Sequence, residues 1–127
     1  MQGCIACNKC GELGRCVFRD ELYDTLHGKL AGADGLVVGS PTYNGQLYPP
    51  VDALLRKIAE RCIPYRRFAC FGSFTWAGAA VRRMTEFAEG MKWPVVGAPV
   101  ELKQGYSTAV EPACRMLVDA LVEDMKR

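Results

Sequence analysis

One histidine, His27, stands among the 127 residues, and that scarcity removes the side chain most used for proton transfer and zinc ligation near neutral pH. His27 falls on the polar side of a helical pattern, where solvation is its expected state. Neither a Ser/His/Asp set nor a pair of carboxylates occurs in the loop-like segments, so acid–base catalysis by the chain's own groups is not expected. Long apolar runs are also missing. The longest such stretch, ACFGSFTWAGAAV at 69–81, is broken by glycines and falls short of the roughly 20 residues needed to cross a bilayer, which excludes a membrane span there. The first residues show no basic region followed by an apolar run and a cleavage site, so a secretory signal is not expected and the expected location is the cytoplasm. Charge of one sign is not in excess: 16 Lys and Arg face 14 Asp and Glu, for a net +2. The pairs Arg66, Arg67 and Arg82, Arg83 make no stripe that could track phosphates, so nucleic acid is not an expected partner. Repeats and low-complexity linkers are absent. With 50% hydrophobic and 24% charged residues, the chain has the composition of a globular domain with one sizeable core.

Cysteine, by contrast, is abundant. Four of the seven cysteines, Cys4, Cys7, Cys10 and Cys16, fall within CIACNKCGELGRC at 4–16. Thiolates three residues apart in a turning backbone converge on a small volume, and iron–sulfur clusters use such short-spaced runs. Zinc ribbons more often take two CxxC pairs from separated segments. The longer last spacing and the absence of a following proline depart from the bacterial ferredoxin run, so an iron–sulfur cluster, zinc, and disulfides or free thiols all stay open on spacing alone. Gly3, Gly11 and Gly14 let the backbone wrap a ligand set closely, and Asn8, Lys9 and Arg15 can offset a cluster's negative charge. Cys62, Cys70 and Cys114 lie among apolar residues and read as small buried hydrophobes.

Helical stripes alternate with short apolar runs along the rest of the chain. Leu22, Leu26 and Leu30 align on a first helix that ends near Gly32. GLVVG at 35–39 reads as a strand buried on both faces. A helix from Pro49 and Pro50 follows, with Val51, Leu54, Leu55, Ile58 and Cys62 as its stripe. RFACFGSF is a second strand. Small residues at 77–80 open a helix carrying Val81, Met84, Phe87, Ala88 and Met91, stopped by Trp93 and Pro94. A third strand is expected over 94–102, and a last helix from about Glu111 is expected to bury Cys114, Leu117, Val118, Leu121, Val122 and Met125. The order αβαβαβα calls for right-handed crossovers and a parallel sheet with helices on both faces, a doubly wound α/β fold.

Ligands of such sheets bind outside the carboxyl ends of the strands. Two segments lie there, SPTYNGQLYPP after the first strand and SFTWAGAA after the second. Both mix glycine, hydroxyl residues and aromatics. Tyr43 and Asn44 stand where a planar ring would lie, with Phe74 and Trp76 on the facing loop; position alone leaves Tyr43 and Trp76 between such a role and a structural one. Trp93, Phe68 and Phe71 read as core or strand residues. With so little acid–base chemistry available, a cofactor is the expected reacting group.

The segment from CIACNKCGELGRC through ADGLVVGSPTYNGQLYPPVDALL resembles the iron–sulfur flavoproteins and related NAD(P)H-dependent FMN reductases of the flavodoxin-like superfamily. From GSPTYNG through FGSFTWAG to VVGAPVELKQG the chain also resembles the flavodoxin domain of A-type flavoproteins. The resemblance implies a single truncated flavodoxin-like domain, with a cysteine cluster loop over 1–18 and αβαβαβα over 19–127. It implies an FMN site with Ser40, Pro41, Thr42, Tyr43, Asn44 and Gly45 on one wall and Ser73, Phe74, Thr75, Trp76, Ala77 and Gly78 on the other. It assigns Cys4, Cys7, Cys10 and Cys16 to a [4Fe–4S] cluster, and it implies electron transfer or oxidoreduction with NAD(P)H or a redox protein as partner. A non-catalytic interaction module with structural zinc at the four cysteines is the alternative. Members of this superfamily begin with a strand, a phosphate-binding loop, a helix and a second strand; this sequence carries only the equivalents of strands 3, 4 and 5. GLVVG then becomes a sheet edge without protection, which natural monomers avoid. Its expected cover is a partner chain, a second copy or the rearranged N-terminal segment.

Overall fold

The computed structural model describes residues 5–13, 17, 25–30, 32–60, 66–105 and 107–127, and at 10, 11 and 25–27 it describes the backbone alone. Leu22 and Cys62 of the expected stripes lie outside the described residues, as do the side chains of Leu26 and His27. The elements are α1 (Lys9–Leu13), a π-helical turn (Thr25–Leu30), β1 (Gly35–Tyr43), β2 (Gln46–Leu47), α2 (Pro49–Glu60), β3 (Arg67–Phe74), α3 (Ala80–Gly90), β4 (Val100–Lys103), a 3₁₀ turn (Thr108–Val110) and α4 (Glu111–Met125). The sheet order is β2-β1-β3-β4. β1, β3 and β4 are parallel, in a register that sets Val38 beside Cys70, Gly39 beside Phe71, and Phe71 beside Val100. The expected α/β sheet with helices on both faces is therefore present. No helix among the described residues is long and apolar enough to cross a membrane.

Alternation along the strands sorts side chains between two layers. Val38, Phe68 and Cys70 pack with Leu55, Ile58, Ala80, Met84, Ala88 and Trp93 under α2 and α3. Phe68 is fully buried and its ring lies 6.1 Å from Phe87 and 6.3 Å from Trp93, so Trp93 is a core residue as its sequence position suggests. Gly72 lets α3 come close: a Cβ there would stand 3.1 Å from Val81 Cγ2 and 3.0 Å from the Ser40 carbonyl oxygen. Burial pushes the Cys70 thiol pKa up, with a weaker opposing pull from the Thr85 hydroxyl 3.9 Å away.

The opposite layer is thinner. Ala69 and Val100 are covered by Leu117, with Val110 and Leu121 at the margin, and Arg67 pairs with Asp124 near the amino ends of the strands. Here several expectations are corrected. Cys114, Val118, Val122 and Met125 are exposed, because α4 lies alone on this side and a helix resting on a sheet buries one stripe. A second helix alongside would be needed to cover the rest. The expected strand over 94–102 is divided. Val95 makes one parallel bridge to Phe68, the chain turns out at Gly97 with φ +73°, and β4 resumes at Val100. β1 runs four residues past the expected end, because a hairpin continues it.

Candidate functional site

The hairpin arises from Asn44-Gly45, the dipeptide that best fits a two-residue turn with both central residues at positive φ. Their φ values are +49° and +70°, and Thr42 and Tyr43 pair antiparallel with Leu47 and Gln46. Ser40, buried at the end of the parallel part of β1, donates its hydroxyl to the Pro41 carbonyl at 2.9 Å and accepts the Tyr48 N–H at 3.1 Å. The hairpin is thus stapled to the strand it leaves. Tyr48 also accepts the Val51 and Asp52 N–H groups with its carbonyl, which starts α2. Its ring meets that of Tyr43 edge-on, with centroids 6.1 Å apart.

Thr42 joins this loop to the next. Its Oγ1 accepts the N–H groups of both Ala79 and Ala80 at 3.1 Å, so the helix α3 start is capped from another strand rather than from its own sequence. The β3–α3 loop is thereby brought beside the hairpin, as the two-wall reading requires. Tyr43 and Tyr48 are about half exposed and Trp76 is 92% exposed, so three aromatic rings stand free at one end of the sheet. Thr75, Ala77 and Gly78 are exposed, and Ser73 and Phe74 are half-buried. Gly78 leaves room for the Glu101 carboxylate, since a Cβ there would lie 2.7 Å from Oε1.

Behind these loops, on the α4 side, a cavity of about 430 Å³ is lined by Pro41, Phe71, Ser73, Val100, Leu102, Val110 and Cys114 among others. Tyr48, Glu101 and the β4 and α4 lining residues were not singled out from the sequence. The Asn44-Gly45 signal gives access to Tyr48, whereas Glu101 and Cys114 reach this end only through tertiary folding.

A flavin fits this arrangement in part. Exposed aromatic rings on two adjacent loops suit a flat ring system, which stacks on such surfaces. The phosphate is not provided for in the same way, because the N–H groups that α3 could offer are already held by Thr42. Of the four clustered cysteines, Cys4 and Cys16 and the Cys10 side chain lie outside the described residues. Cys7 is exposed and is flanked by Ala6 and Asn8 at φ +52° and +58°. Among the described residues no group of three or more metal-ligating side chains occurs.

The parallel order, the two loops at the carboxyl ends and the helices on both faces define a flavodoxin-like fold. Its nearest points of comparison follow from that. The chain superposes on a flavodoxin from the Archaea with a TM-score of 0.70 and 22% identity, covering 84% of this chain and 75% of that one. In sequence it is 40% identical over 63 residues to an iron–sulfur flavoprotein of Methanocaldococcus jannaschii, covering 50% of this chain and 30% of the relative. It is 28% identical over 81 residues to the rubredoxin-oxygen oxidoreductase of Megalodesulfovibrio gigas, covering 64% of this chain and 20% of the relative. No family model matches the chain. The chain thus spans less than a third of the length of either curated relative, and its resemblance to iron–sulfur flavoproteins and A-type flavoproteins is borne out over that share.

Proposed function

We propose that this chain is a single flavodoxin-like unit, with its cysteine loop over 1–18 and its body over 19–127, that works as an electron-transfer protein or oxidoreductase subunit with FMN and a [4Fe–4S] cluster. The observation that carries the reading is the pair of loops tied together by Thr42, which present Tyr43 and Trp76 at the carboxyl ends of parallel strands. Tyr43 and Trp76 would shield a flavin ring, and the exposed backbone of 44–45 and 75–78 would meet its polar edge. Ser40 and Thr42 act indirectly, since their hydroxyls hold the loop geometry. Cys4, Cys7, Cys10 and Cys16 would ligate the cluster, and the left-handed residues on both sides of Cys7 turn the backbone there as a ligand loop needs. Bound FMN would supply the conversion between two-electron donors such as NAD(P)H and one-electron carriers, with the cluster as the single-electron exit.

The names of the relatives support a redox flavoprotein. A second reading, a non-catalytic module with structural zinc, draws support from the capped α3 start, which offers a flavin phosphate nothing. A visible spectrum and metal analysis of anaerobically purified protein test both. Flavin bands with a broad cluster shoulder and about four irons per chain are expected; a colourless zinc protein would establish the module instead.

A further inference from the structure

The uncovered layer has a definite shape. Val37, Gly39, Ala69 and Phe71 share one side of β1 and β3. Ala69 is buried under α4, but Val37 and Phe71 are each 49% exposed, and the Phe71 ring lies directly over Gly39. Gly97, at the β4 side, approaches Leu117 and Ala120, whereas Gly35 of β1 approaches Leu121. The helix turn therefore carries Val118, Val122 and Met125, at i, i+4 and i+7, toward the β1 side. They form the wall of a trough whose floor is Val37, Gly39 and Phe71. The trough opens at the outer edge of β1, which has no strand partner over Gly35–Ser40 among the described residues. Pro41 and the hairpin bound that edge, leaving about 20 Å of parallel-strand backbone.

We propose that this edge and trough together seat a strand–helix unit from a second polypeptide, its strand beside β1 and its amphipathic helix beside α4. Each alternative occupant leaves part of the surface unsatisfied. Two copies paired edge to edge about a two-fold axis would fuse two troughs into one wider one and leave Val37, Phe71 and Val118 bare in both. Residues 1–34 hold only Ile5, Val17 and Thr25 as β-branched residues, scattered where a strand needs a run. A strand–helix unit satisfies both features at once, because the helix following an edge strand packs back on the same sheet. The flavodoxin from the Archaea shows how much the fold can carry beyond this chain, which matches 75% of it. The proposal stands on edge and trough and needs no flavin. Where the flavin reading also holds, the partner's helix would start beside Pro41 and Ser73, with its free N–H groups available to a phosphate.

The test is a selection on the complete 127-residue chain. A displayed library of strand–loop–helix peptides of about thirty residues, randomised along strand and helix, is panned without flavin. Enriched peptides are expected to alternate apolar residues in the strand and to repeat them at i, i+3 and i+4 in the helix. They should bind one to one, slow hydrogen exchange over 35–40 at least tenfold, and lose at least tenfold affinity to the double variant Val118→Lys, Val122→Lys. Both substituted residues are exposed, so the melting temperature of the free chain should stay unchanged. Failure to enrich any binder, binders indifferent to the double variant, or a free chain already dimeric and protected over 35–40 would each overturn the proposal. FMN titration of the selected complex is a separate measurement: no uptake there counts against the flavin reading and leaves the seat intact.

Discussion

Replacing Thr42 by valine keeps the shape of the side chain and removes one oxygen, and that oxygen receives two backbone N–H groups. Ala79 and Ala80, the donors, are 5% and 1% exposed, so water cannot replace the lost acceptor without opening the loop. Loss of a helix cap costs about 0.5–2 kcal/mol, and a buried donor left without a partner costs about 1–3 kcal/mol. With one donor counted as a lost cap and the other as stranded, Thr42→Val should destabilise the protein by about 3 kcal/mol. For a domain of this size that is roughly 10 °C in melting temperature. Thr42→Ser keeps the acceptor and should stay within about 1 kcal/mol of the native chain. Urea unfolding followed by circular dichroism reads both values. A valine variant within about 0.5 kcal/mol of the native protein, or a serine variant equally damaged, would refute the cross-strand cap and with it the coupling between the Tyr43 and Trp76 loops.

Gly72→Ala should cost about 1–3 kcal/mol by pressing a methyl group against Val81 and the Ser40 carbonyl, visible as a lower urea midpoint. Phe68→Ala, which empties the centre of the larger core, should cost about 3–5 kcal/mol by the same assay. In native protein, iodoacetamide should label Cys7 and Cys114 and spare Cys70 until denaturant is added, as mass spectrometry of the digests will show. Because burial raises the Cys70 pKa in the folded state, the unfolded chain loses that proton first. Stability should therefore be constant with respect to this group below about pH 8.5 and fall as pH rises past it, and Cys70→Ala should abolish that slope.

Much of this architecture can be read from the chain because the controlling interactions are local or periodic. β3 occupies RFACFGSF, and the Val51–Ile58 and Val81–Ala88 stripes bury as their spacing requires. The divided third strand was hidden because its cause, the close approach of Gly97 to Leu117 and Ala120, links residues some twenty positions apart. The α4 stripe misled for a related reason. Cys114, Val118, Val122 and Met125 have the spacing of a buried face, yet spacing reports what a helix can cover and not whether a neighbour is present. At the site, the loop aromatics were visible as composition. The dual use of Thr42 was not, since its two partners lie 37 and 38 residues away.

The interruption at Gly97 has a consequence for assembly size. The outer border of β4 has four residues in regular pairing, preceded by Pro94, Pro99 and an outward turn, so it offers an incoming strand almost nothing to extend. A sheet that can add material at one border and is terminated at the other cannot propagate. Whatever joins at β1 completes a particle of fixed composition, and the route from an unpaired strand to an open-ended fibre is closed at its far end.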